Sequence, residues 1–148
     1  MLCSVFAVTA CSGPTQMELD RQSNICERVH LVIYDFENLK TEKRITEMEG
    51  LCSLPLDKAT KKLIAREDLH QLMRILRVED NDVVKYYTIL FIGNLGKEAK
   101  KAVPLLKMMR RTLPGSPAAN KPYKQAIRIA LEKIEGKKKK SKSKRRAR

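Results

Sequence analysis

The chain has 148 residues and a formal net charge of +14, is 43% hydrophobic and 5% aromatic, and contains no Trp. That apolar content excludes a wholly disordered chain, and the length allows one modest domain with a core. With so few aromatics, Leu, Ile, Val, Met and Ala must do the packing, which favours small helices over a β-sandwich.

Residues 1–11 (MLCSVFAVTAC) form an apolar run, followed by a polar linker at residues 12–16 (SGPTQ). From Met17 to about Lys40, Ile25, Val29, Val32, Phe36 and Leu39 recur at steps of four, three, four and three, which predicts a helix. The alternative is a short strand over His30 to Phe36. A shorter helix is expected from Thr41, carrying Ile45 and Met48 and stopped by Gly50. Residues 50–57 (GLCSLPLD) read as a turn, with Asp57 capping a helix from Lys58 through Leu63 and Ile64.

The second half is more regular. Leu69, Leu72, Met73 and Leu76 fall at i, i+3, i+4 and i+7, the spacing of an amphipathic helix. Asp80, Asn81 and Asp82 break it, with Asp82 expected as the next N-cap. Val84, Tyr87, Phe91 and Leu95 form a second stripe closed by Gly96. Ala102, Leu105, Leu106 and Met109 form a third. Residues 112–120 (TLPGSPAAN) are a loop, Pro122 suits a first helical turn, and Tyr123, Ile127, Ala130, Leu131 and Ile134 make a fourth stripe ended by Gly136.

These four segments repeat. Residues 69–77 lie over 103–111 at a shift of 34, and residues 84–95 over 123–134 at a shift of 39. Two helices and a turn per unit of this length describe an α-solenoid repeat. The run from Phe91 to Leu106 resembles a junction between HEAT repeats, with Gly93, Leu95, Gly96, Ala99, Ala102, Val103, Pro104 and Leu105 fitting the pattern. The resemblance covers about 70 residues; the 112–122 loop is longer and richer in proline than a typical turn within a repeat. It implies an all-α fold of antiparallel HEAT-type helix hairpins: two pairs over residues 67–136, and a cap or degenerate repeat over 17–66. It also implies a non-catalytic scaffold that docks another protein.

Four cysteines (Cys3, Cys11, Cys26, Cys52) form no CxxC pair, and His30 and His70 lack zinc-ligand spacing from them, so no structural zinc is expected. No apolar stretch reaches the roughly 18 residues of a membrane span. No catalytic constellation stands out: Asp80 to Asp82 lack the later Gly and Glu of a calcium loop, Gly93, Gly96 and Lys97 lack the Lys-Ser/Thr of a phosphate loop, and no Gly-x-Ser-x-Gly occurs. No cofactor is expected. An enzyme, such as a HEAT-like lyase subunit, would have no nucleophile, base or metal set to name.

Two features suggest partners. Residues 137–148 hold nine cations and no acid: Lys137, Lys138, Lys139, Lys140, Lys142, Lys144, Arg145, Arg146 and Arg148. Such a run repels itself and buries nothing, but it attracts nucleic acid, anionic lipid or acidic protein; the bland alternative is a solvated tail. Lys97, Lys100, Lys101, Lys107, Arg110 and Arg111 would extend that basic surface. Val8-Thr9-Ala10-Cys11 resembles the lipobox of bacterial lipoproteins. The resemblance implies lipid attachment at Cys11 and an envelope membrane anchor, and then Cys26 and Cys52 are candidates to pair. The run before Cys11 has no Lys or Arg and is shorter than usual leaders; the other reading is a cytoplasmic protein with an apolar N-terminus.

Overall fold

The computed structural model describes residues 13–112 and 121–136. They are helical, with no strand among them: α1 (Gln16–Tyr34), the 3-10 helix η1 (Phe36–Asn38), α2 (Thr41–Cys52), α3 (Lys58–Glu67), α4 (Leu69–Val78), α5 (Asp82–Asn94), the 3-10 helix η2 (Gly96–Ala102), α6 (Val103–Thr112) and α7 (Lys121–Glu135). All-α is therefore the fold class, and His30 to Phe36 is not a strand.

Helix boundaries follow the polar groups that satisfy chain ends. Thr15 and Glu18 form a capping box at the start of α1. α1 stops at Tyr34 rather than running to Lys40. Beyond that point the Arg44 guanidinium takes the carbonyls of Phe36, Glu37 and Leu39, which therefore do not continue an α-helical ladder. Arg44 also lies over the Phe36 ring, 5.2 Å from its centroid, and pairs with the buried Glu79 at 3.1 Å. Glu79 accepts the backbone N–H groups of Asp80 and Asn81 as well, so one buried carboxylate ties the η1 bend to the α4–α5 turn.

Three further boundaries differ from the expected ones. α2 runs through Gly50 to Cys52, because continuing the helix buries Leu51 completely and this outweighs the roughly 1 kcal/mol cost of a helical glycine. Asn81, not Asp82, caps α5: its side-chain oxygen accepts from the N–H groups of Val83 and Val84, and Asp82 takes the first helical position, where its charge suits the helix dipole. Ala102 ends η2 instead of beginning α6, after a kink at Ala99. Asp57 does cap α3, accepting from Thr60 N at 2.7 Å, and Gly96 and Gly136 end α5 and α7 with φ of 61° and 68°.

α5 is the centre of the core. It packs against α2, α4, α7 and η2; α6 packs on α7 and η2, and α1 crosses α3 and α4. Its buried set, which includes Ile89 and Ile92 beside Val84 and Phe91, is wider than one stripe. Tyr87 is only half-buried and donates to Glu49 of α2. Leu72, Phe91, Leu106 and Ile134, one from each of α4 to α7, are all fully buried in a single apolar cluster. The shift of 39 superimposes Val84, Thr88, Phe91, Ile92 and Leu95 on Tyr123, Ile127, Ala130, Leu131 and Ile134, every one of them buried.

The α5–α7 crossing depends on Gly93. A Cβ there would sit 2.9 Å from both Cα and Cβ of Ala130. Gly93→Ala is expected to cost about 1–3 kcal/mol by overpacking. Gly50→Ala, whose methyl meets only the flexible end of Arg28, is expected to stabilise α2 by roughly 0.5–1 kcal/mol. Urea unfolding of both variants checks the pair; equal effects would contradict the packing described.

Candidate polyanion interface

After Gly96 reverses the chain, η2 and α6 carry six cations against one acid, Glu98. Lys97, Lys100, Lys101, Arg110 and Arg111 are exposed. Among the described residues none of these five has an ion-pair partner. Lys107 is half-buried and paired with Glu135 at 2.8 Å, so it contributes less free charge. η2 packs against α3 and α7, which add Lys61 and Lys133 to its surroundings. The asymmetry extends over the body: residues 13–57 hold nine acids and five cations, whereas residues 58–136 hold seventeen cations and eight acids.

The fold also brings the residue that precedes the basic run against η2. At the end of α7, Gly136 lies beside η2, and a Cβ on it would be 3.3 Å from Lys97 Cε. Lys137 to Arg148, like Cys11, lie outside the described residues.

The remaining candidates have structural partners. His30 Nδ1 is 3.0 Å from the buried Asp68 carboxylate, and its ring lies 4.1 Å from that of Tyr34. His70 is exposed. Asp80 to Asp82 make the turn and cap already described. Cys26 and Cys52 are free thiols rather than a disulfide. Burial, reinforced by Glu67 and other nearby carboxylates, pushes the Cys26 thiol up. Burial pushes that of Cys52 up to about 11, against the opposing pull of Lys133. Cys52 Sγ donates to the Tyr87 carbonyl. Among the described residues there is no cluster of three metal-ligating side chains and no helix long and apolar enough to cross a membrane.

No known protein family, curated protein or solved structure matches the chain. The reading of this surface therefore comes from its own chemistry.

Asp68 offers a test of the polar contacts. Burial holds its carboxyl above the ordinary value, with the His30 hydrogen bond and charge opposing and Glu67 adding to the rise. A raised folded-state value means that the stability contributed by Asp68 is complete below about pH 3.9, its unfolded value, and is lost as pH rises through the folded one. The unfolding free energy of the natural chain minus that of Asp68→Asn should therefore fall between about pH 3 and pH 6. Urea melts at the two ends measure this. A difference that grows with pH would mean that pairing with His30 outweighs the burial.

Proposed function

We propose that the chain is a non-catalytic HEAT-like helical scaffold that binds the phosphate backbone of nucleic acid through the η2–α6 face and the basic tail. The observation that carries this is the juxtaposition of Gly136, the residue before the basic run, with Lys97, on a face where Lys97, Lys100, Lys101, Arg110 and Arg111 have no ion-pair partner among the described residues. The HEAT-like arrangement is supported by the helices α5 and α7, which bury equivalent positions 39 residues apart and cross at a glycine.

Cations spread along η2 and α6 suit a linear row of phosphates. The tail has no aromatic residue, so it offers no platform for stacking bases, and recognition would be independent of sequence. A protein-docking role, the first expectation from the HEAT resemblance, has a separate observation in its favour. Exposed Tyr34 and Val78 border the groove between η1 and α4, with Leu31 exposed nearby on α1. Compartment selects between phosphate sources: a chain acylated at Cys11 would meet lipid headgroups, and an unprocessed one nucleic acid. The intact mass of the protein from its own host separates those two cases.

The test is fluorescence anisotropy with a labelled DNA duplex over a salt series, using the full chain, a chain ending at Gly136, and the triple variant Lys97→Gln, Lys100→Gln, Lys101→Gln. Both changes should weaken binding regardless of DNA sequence and flatten the plot of log affinity against log salt, by about 0.9 for each phosphate that is no longer neutralised. Affinity insensitive to salt would remove the reading. Binding to anionic vesicles without binding to the duplex would replace nucleic acid by membrane.

A further inference from the structure

Beside this face lies a cleft of about 370 Å³ lined by Leu54, Leu56, Lys61, Gly93, Asn94, Gly96 and Lys133. It brings together the turn after α2, the first turn of α3, the end of α5 and the last turn of α7. Two lysines line the same cleft, and neither has an ion-pair partner among the described residues. Lys133 is exposed and is oriented by one amide. Its Nζ donates to Asn94 Oδ1 at 2.7 Å, and Asn94 Nδ2 donates in turn to the Cys52 carbonyl at 3.2 Å. Lys61 is half-buried. The carboxylate of Glu49, which acts on the Cys52 thiol from nearby, is engaged by the Tyr87 hydroxyl.

Two lysines that line one cleft set like charges near each other, and an anion bound between them would reverse the sign of that interaction. The cleft volume is at the low end of the range for small-ligand sites, roughly 300–1,000 Å³. Its charged lining is cationic, two lysines with no carboxylate among the lining residues, and the Asn94 oxygen is already taken by Lys133. Its walls, Leu54 and Leu56, are apolar. That combination suits a compact oxyanion carried on a less polar body.

We propose that the Lys61–Lys133 cleft is a dedicated site for a single phosphoryl group, fixing one phosphate of the polymer that the η2–α6 face holds loosely. The ligand assignment rests on the polyanion function proposed for that face, and the site itself rests on the two lysines. Asn94 is its positioning residue, since it orients Lys133 rather than contacting the anion. The basic face then provides attraction at a distance, and the cleft provides register.

The experiment is an NMR titration of the isotopically labelled full chain with inorganic phosphate at constant ionic strength, followed by the same titration of Lys61→Gln/Lys133→Gln. The Asn94 side-chain amide and the Gly96 amide should shift together and saturate in the natural chain, and should stop responding in the double variant while its helical circular dichroism is retained. Shifts spread over all exposed lysines without saturation, or an unchanged response in the double variant, would overturn the site. Duplex binding separates the two proposals. If the site stands, the double variant should flatten the salt dependence by about 0.9, the value for one phosphate fewer neutralised. An unchanged slope in that variant overturns the role in register. Saturable phosphate binding with no duplex affinity supports the cleft and removes the nucleic-acid reading instead. The triple variant of Lys97, Lys100 and Lys101 should leave phosphate saturation of the cleft intact, and its disappearance there would show that the anion sits on the open face.

Discussion

The contact between Gly93 and Ala130 organises the rest of the molecule. Without side-chain volume at Gly93, the backbones of α5 and α7 approach closely enough for Phe91, Ile92, Ile127 and Leu131 to enter one core. The same approach brings Lys133 within hydrogen-bonding distance of Asn94 and sets the end of α7 against η2. Electrostatics at this end of the protein is therefore a consequence of packing. The cations are on three separate segments, and one small residue at a helix crossing determines where they meet.

Close packing also explains why α5 tolerates so many polar attachments along its length. Asn81 caps its start, Thr88 returns its buried hydroxyl to the Val84 carbonyl, the Tyr87 hydroxyl reaches Glu49, and Asn94 bridges α2 and α7. Thr88 is fully buried and must satisfy its hydroxyl within the helix, whereas the groups nearer the surface link α5 to its neighbours. The Arg44–Glu79 pair does the same work at the opposite side. It closes the bend after α1 using three carbonyls, one carboxylate and two backbone amides. Removing one member would leave the others buried without partners, the situation in which a buried ion pair matters most.

Much of this helical order is legible from residue spacing, because periodicity reports which face of a helix is apolar. The α4 and α7 stripes appear in sequence almost as they are buried, and Asp57 reads correctly as a cap because its role is local. The capping box of α1 is equally local, a Thr-x-x-Glu at Thr15 and Glu18, and is the signal in the sequence for that helix start. Periodicity fails where tertiary contacts decide. The spacing of Phe36 and Leu39 continues the α1 pattern, and only Arg44, from the following helix, explains why the chain bends there. Tyr87 fits the α5 stripe, yet α2 draws its hydroxyl outward to Glu49. Gly93 stands out as a junction residue, but its steric purpose depends on Ala130, 37 positions further on.

The functional surface is legible in composition and hidden in arrangement. Nine cations in the last twelve residues are visible at once, and so is the excess of Lys and Arg after Gly96. That Gly136, just before the basic run, adjoins Lys97 is not visible, because α6 and α7 intervene in sequence. Nor does spacing relate Lys61 to Lys133. Each reads in sequence as an ordinary solvated lysine on an amphipathic helix, and only the packing of α3 and α7 about η2 places them at one cleft. Charge that is merely abundant is screened within about 10 Å at ordinary salt. Lys133, although exposed, is already oriented by the Asn94 amide and so has less entropy to give up on binding. On that physical ground the two lysines of the cleft, rather than the nine cations of the tail, are where discrimination among anions would arise.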